Sequence, residues 1–141
     1  MLCLNLSRYS SASISINDNA LWITGGQLAN ETTGDWIVEE TEIIYNPDQK
    51  TMISQLSLGP ILPIPLMDHC IMSDGGKIII TGGITDKLNG GWSDNVYIYD
   101  EMEVFNSIFP QNVTVEEGPK NLFTRSGHGC TIFNSPGHDN R

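Results

Sequence analysis

The chain has 141 residues, enough for one domain with a proper core, and its 17 Asp and Glu against 7 Lys and Arg give a net charge of −10. Such a charge repels nucleic-acid phosphates and anionic membrane surfaces, so neither is expected as a partner. No apolar run approaches the roughly 20 residues of a spanning helix, and residues 1–6 lack the charged leader and cleavage site of a signal peptide.

Three cysteines, Cys3, Cys70 and Cys130, are too few for a disulfide framework or a zinc site. Cys70 and Cys130 follow His69 and His128 by one and two residues. Strand alternation would turn them to opposite faces, so buried free thiols and a reducing, cytoplasmic setting are expected, with secretion left open. Glycosylation sequons at Asn5, Asn30 and Asn112 are about as many as the Asn, Ser and Thr content yields by chance.

Along the chain, alternation over Ser13–Asn17 predicts a half-buried strand, and Asp18-Asn19 a turn into a second strand over Leu21–Thr24, which ends at Gly25-Gly26. Residues 27–40 read as an acidic loop around Trp36, carrying Glu31, Asp35, Glu39 and Glu40. A third strand is predicted over Thr41–Tyr45, a turn at residues 46–49, and a fourth strand over Thr51–Leu56. The proline-rich run 59–65 is an extended crossing segment, because each proline removes a ladder donor.

The pattern then repeats. Strand character over His69–Met72 leads to a turn at Asp74-Gly75-Gly76, and a strand over Lys77–Thr81 runs into Gly82-Gly83. A loop over residues 84–94 carries Trp92, and Asn95–Asp100 matches the earlier third strand. Residues 101–110 look irregular, and a fourth strand is placed near 113–116. Gly118-Pro119 matches Gly59-Pro60, the next histidine lies ten residues beyond the glycine in both cases, and His128 opens a third unit. With no apolar spacing of three and four, the class is all-β.

Two periods of four short strands, each with a glycine pair after the second, resemble the kelch repeat. The residues that carry the resemblance are Gly25-Gly26, Gly82-Gly83, Tyr45, Tyr99 and the crossing Gly59-Pro60-Ile61-Leu62-Pro63. Neither unit has the tryptophan that kelch repeats place before the crossing. The resemblance implies a kelch-like β-propeller fragment of four-stranded antiparallel blades, at about 8–59 and 67–118, with a third beginning at 125–141. A propeller closes with about four to eight blades. Two blades alone would leave apolar faces uncovered and prone to self-association.

No phosphate-binding glycine loop, nucleophile elbow or paired metal-ligand motif appears, so no catalytic residue, metal or cofactor is expected. His69 and His128, which recur at the start of first strands, are given a structural role. The resemblance implies a non-catalytic protein-interaction module, whose loops after the glycine pairs share one face with the crossings. Trp36, Trp92, Arg125, Glu31, Asp35 and Glu39 are its candidate contact residues, the acids favouring a basic partner. Alternatives are part of a kelch-like propeller enzyme of oxidase or sugar-epimerase type, or the substrate-recognition part of a ubiquitin-ligase adaptor.

Overall fold

The computed structural model describes residues 8–28, 36–48, 53–86, 91–107 and 113–131. The elements in chain order are β1 (Arg8–Tyr9), β2 (Ala12–Ile16), β3 (Ala20–Thr24), β4 (Gln27–Leu28), β5 (Trp36–Ile37), β6 (Thr41–Asp48) and β7 (Ile53–Leu58). Then come β8 (Cys70–Asp74), β9 (Lys77–Thr81), β10 (Ile84–Asp86), β11 (Gly91–Trp92), β12 (Val96–Asp100), α1 (Glu101–Phe105) and β13 (Val115–Glu117). They form two four-stranded antiparallel sheets, β2-β3-β6-β7 and β8-β9-β12-β13. The fold is all-β, and each sheet is a blade of kelch-like type.

The hairpins follow the local chemistry. Gly75 and Gly76 have φ of +54° and +83° and join β8 to β9 with Asp74 opposite Lys77, a two-residue turn whose twist suits the strands. In the first blade, Asn17 and Asp18 take φ of +47° and +55°, which their short polar side chains tolerate, so the turn begins one residue earlier than expected. The ladder of β6 continues through residues 46–48, where a turn was expected, with a register shift between Tyr45 and Asp48. A bulge there accommodates Pro47, which has no N–H to donate. Strand β7 accordingly runs two residues later than the pattern suggested.

Two further expectations need correction. Residues 101–105 are a short helix, whose N-cap Asp100 accepts hydrogen bonds from the backbone of Met102 and Glu103, each at 3.1 Å. Cys70 and Cys130 form a disulfide across a Cα–Cα distance of 6.1 Å. The alternation argument fails because residues 128–131 belong to no strand, so nothing fixes Cys130 to a sheet face. Free thiols are therefore replaced by a link between β8 and the segment after His128.

The core lies between the blades. Ile14 and Ile43 flank Trp22 on one face of the first sheet, and Ile16 stands beside Ala20. The second sheet presents Ile78, Ile80, Tyr97 and Tyr99, and these residues join Leu62, Leu66 and Val104 in one apolar cluster. Trp22 meets Tyr99 edge to face, with ring centroids 5.1 Å apart, an arrangement that suits the ring quadrupoles. Helix α1 closes one end of the seam: Tyr45 packs on Phe105 and donates its hydroxyl to the Phe105 carbonyl at 2.8 Å. Tyr45 lies opposite Ala20 and Tyr99 opposite Ile78 in the ladders. Each tyrosine therefore faces the seam from its own side, one step out of equivalence, although the sequence aligns them as markers.

Candidate interaction face

Antiparallel pairing brings the end of β3, the start of β6 and the end of β7 to the same end of the first blade. The glycine-pair loop and the crossing therefore leave from one side. They are tied together: Val38 N donates to Gly26 O at 3.0 Å, Leu62 N to Glu39 O at 2.9 Å and Leu66 N to Val38 O at 3.3 Å. The second blade repeats these bonds with Ser93 to Gly83, Asn121 to Asp94 and Arg125 to Ser93, at 2.8, 2.8 and 3.4 Å. Loop and crossing form one backbone-paired layer in both repeats.

Within this layer the expected loops contain structure of their own. β4 pairs with β5 and β10 with β11, so Trp36 stands opposite Leu28 and Trp92 opposite Ile84, each on the second strand of a small hairpin. The bonds from Val38 to Gly26 and from Ser93 to Gly83 make Ile37 the counterpart of Trp92, so the two tryptophans are one residue out of register. Trp36 is 41% exposed and Trp92 54%. Glu39 is exposed beside the first hairpin, whereas Glu31 and Asp35 lie outside the described residues. Lys120 reaches Asp94 at 3.2 Å in an exposed pair, which contributes little to stability. Arg125 lines a groove with Met72, Ile79, Val96, Lys120 and Leu122 on the open face of the second blade.

The glycine pairs sit at the root of the layer. Gly25, Gly26, Gly82 and Gly83 all have positive φ, between +58° and +99°. A side chain on Gly25 would strike the Leu66 carbonyl, and one on Gly82 would come within 2.6 Å of the Arg125 carbonyl. Absence of a Cβ is required twice over at these positions, by conformation and by the approach of the crossing backbone.

His69 is buried against the preceding blade and lies 2.7 Å from the Thr24 hydroxyl through Nε2. That hydroxyl also donates to Ala12 O at 3.4 Å, which leaves it to accept from the imidazole. Burial lowers the His69 pKa to about 4, against the raising effect of Asp68 and with a further lowering effect from His128, so the ring is neutral near pH 7. His128 lies equivalently against Gly82, and burial and then Arg125 lower its pKa. In the second repeat, however, Thr81 Oγ1 accepts from Asn121 Nδ2 at 2.6 Å.

One buried pair was not singled out from the sequence. Arg8 Nη2 lies 3.1 Å from Glu42 Oε2 with both side chains fully buried, and Arg8 Nη1 donates to the carbonyls of Gly25 and Glu40, each at 2.8 Å. A signal was present: Arg8 precedes Ser10 by two residues as Arg125 precedes Gly127, and Ser10 and Gly127 both have positive φ. Among the described residues no group of three or more His, Cys, Asp or Glu side chains is arranged to hold a metal ion, and no helix is long and apolar enough to cross a membrane.

Strand order, glycine pairs and paired crossings define kelch-like propeller blades. The chain is 31% identical over 132 residues, 91% of its length, to Kelch repeat-containing protein 2 of Saccharomyces cerevisiae (strain ATCC 204508 / S288c). It spans 14% of that relative's length. No protein-family model matches the chain.

Proposed function

We propose that the chain is a non-catalytic protein-interaction module whose loop-and-crossing layer receives a protein partner. The observation that carries this reading is the pair of exposed tryptophans, Trp36 and Trp92, each on the second strand of a small hairpin in this layer. Tryptophan supplies large, rigid contact area and is over-represented among residues that dominate binding energy. Backbone pairing to the crossings holds both hairpins still, which reduces the ordering entropy a partner must overcome. Exposed Glu39 and the net charge of −10 favour a basic partner through long-range attraction.

The test is quantitative capture of partners by the full-length protein from its native extract, comparing wild type with Trp36→Ala, Trp92→Ala and the double variant, each shown to be folded. A partner that uses this layer is lost in the double variant, by tenfold or more for hot-spot residues that contribute at least about 1.4 kcal/mol. A captured set unaltered by the double variant refutes the assignment of the layer.

A further inference from the structure

The open face of the second blade carries a groove of about 500 Å³ lined by Met72, Ile79, Val96, Leu122 and Arg125. Beside it Leu122 is 92% exposed and Phe123 73%. The first repeat shows what covers such a face. Ladder pairs Thr24 with Thr41 and Thr81 with Val96 make Ile79 the counterpart of Trp22 and Ile98 that of Ile43. The bonds from Leu62 to Glu39 and from Asn121 to Asp94 make Phe123 the counterpart of Ile64, and Arg125 that of Leu66. In the first repeat, Trp22, Ile43, Leu62 and Leu66 are buried beneath the second blade, and Ile64 packs against the same cluster. The equivalent face of the second blade is shaped to receive another sheet.

The charge on that face specifies the sheet further. Asp68 N donates to Ser10 O at 3.1 Å and Gly127 N to Asp68 O at 2.8 Å, which aligns the three unit openings. The residues two positions earlier, Arg8, Leu66 and Arg125, are therefore equivalent. Arg8 meets Glu42 on the third strand of the blade it leads into. Leu66 shares an apolar cluster with Tyr97, the residue that replaces Glu42 there, since Gly59 bonds to Thr41 and Gly118 to Val96. The crossing residue and the third-strand residue are thus matched in character: arginine with glutamate, leucine with tyrosine. Arg125 has no carboxylate partner among the described residues.

We infer that Arg125 docks a third blade of the same polypeptide that presents a buried carboxylate from its third strand. The Cys70–Cys130 disulfide and the bond from Gly127 to Asp68 hold the departing chain beside β8, where the first strand of such a blade begins. The matched residues are separated by 34 positions for Arg8 and Glu42 and by 31 for Leu66 and Tyr97. The partner acid accordingly lies about the same distance beyond Arg125, in a part of the polypeptide past residue 141.

The experiment uses the full-length protein with Arg125→Lys, treated with a carbodiimide that joins amines only to carboxylates in contact, and maps the crosslinks by mass spectrometry. The expected result is a crosslink from position 125 to an Asp or Glu 31 to 34 residues further on, with Lys120–Asp94 as the internal control. A crosslink from position 125 to another polypeptide or to an acid among the described residues overturns the inference. So does an unreacted position 125 when the control forms. Hydroxyl-radical footprinting of unsubstituted protein gives an independent reading. Phe123 is expected to be protected, and reactivity equal to that of the denatured chain overturns the inference as well.

Discussion

The backbone N–H of Gly26 donates to the carbonyl of Leu66 at 2.7 Å, and Gly83 repeats the bond to Arg125 at the same distance. The acceptor in each case is the crossing segment on its way to the next unit. A glycine pair after the second strand therefore ends a strand and also clamps one blade to the segment that opens the next.

Gly25→Ala tests the clamp. Positive φ alone costs an alanine roughly 1–2 kcal/mol, and the methyl group would also meet the Leu66 carbonyl. Overpacking adds roughly 1–3 kcal/mol. Gly75→Ala is the control, because its φ is +54° but nothing lies within 4 Å of an added Cβ. Urea denaturation should show the larger loss at Gly25. Equal losses at the two sites would remove the clamp from the explanation.

The period and the glycine pairs were legible because each is a local, repeated demand on the backbone. Three features were not. Helix α1 is too short for an apolar periodicity, although Asp100 followed by Glu103 is an N-terminal capping pattern that could have marked it. The disulfide depends on a segment that departs from strand geometry, which alternation cannot foresee. The offset between Tyr45 and Tyr99 lies within the third strands, since Tyr45 is four positions beyond Thr41 and Tyr99 three beyond Val96, and only the ladders show that Thr41 and Val96 are equivalent. For the candidate face, sequence singled out both tryptophans, but their places on two small hairpins, one residue out of register with each other, required the ladders.

Acid should loosen the first seam through His69. Its pKa is about 6.5 when unfolded and about 4 in the folded protein, so the unfolded chain binds more protons between these values. Stability is fully present above pH 6.5 and is lost as the pH falls toward 4, by about 3 kcal/mol in the limit. His69→Gln, which keeps a hydrogen-bond donor but cannot titrate, should flatten that part of a pH–stability profile. A profile of unaltered slope would show that other groups control it.

Reduction should destabilise the second blade's junction with the segment after it. The disulfide spans a sequence separation of 60, and closure of a loop of that size stabilises by about 4 kcal/mol in the chain-entropy model. Thiol reductant and Cys70→Ser should lower the denaturation midpoint to the same extent, and reductant should have no further effect on the variant. A midpoint insensitive to both would remove the link from the stability of the protein.

Arg8 and Glu42 offer the most direct test of matched residues across repeats. Arg8→Leu alone strands a buried carboxylate, and loss of one partner from such a pair costs about 3–5 kcal/mol. The second repeat holds leucine and tyrosine at the equivalent positions, both within the apolar cluster. Arg8→Leu combined with Glu42→Tyr imports that solution, so the double variant should be considerably more stable than Arg8→Leu, with a large favourable coupling in a double-mutant cycle. Losses that simply add would mean that the two positions are independent, and the matching of crossing to third strand would then have no energetic basis.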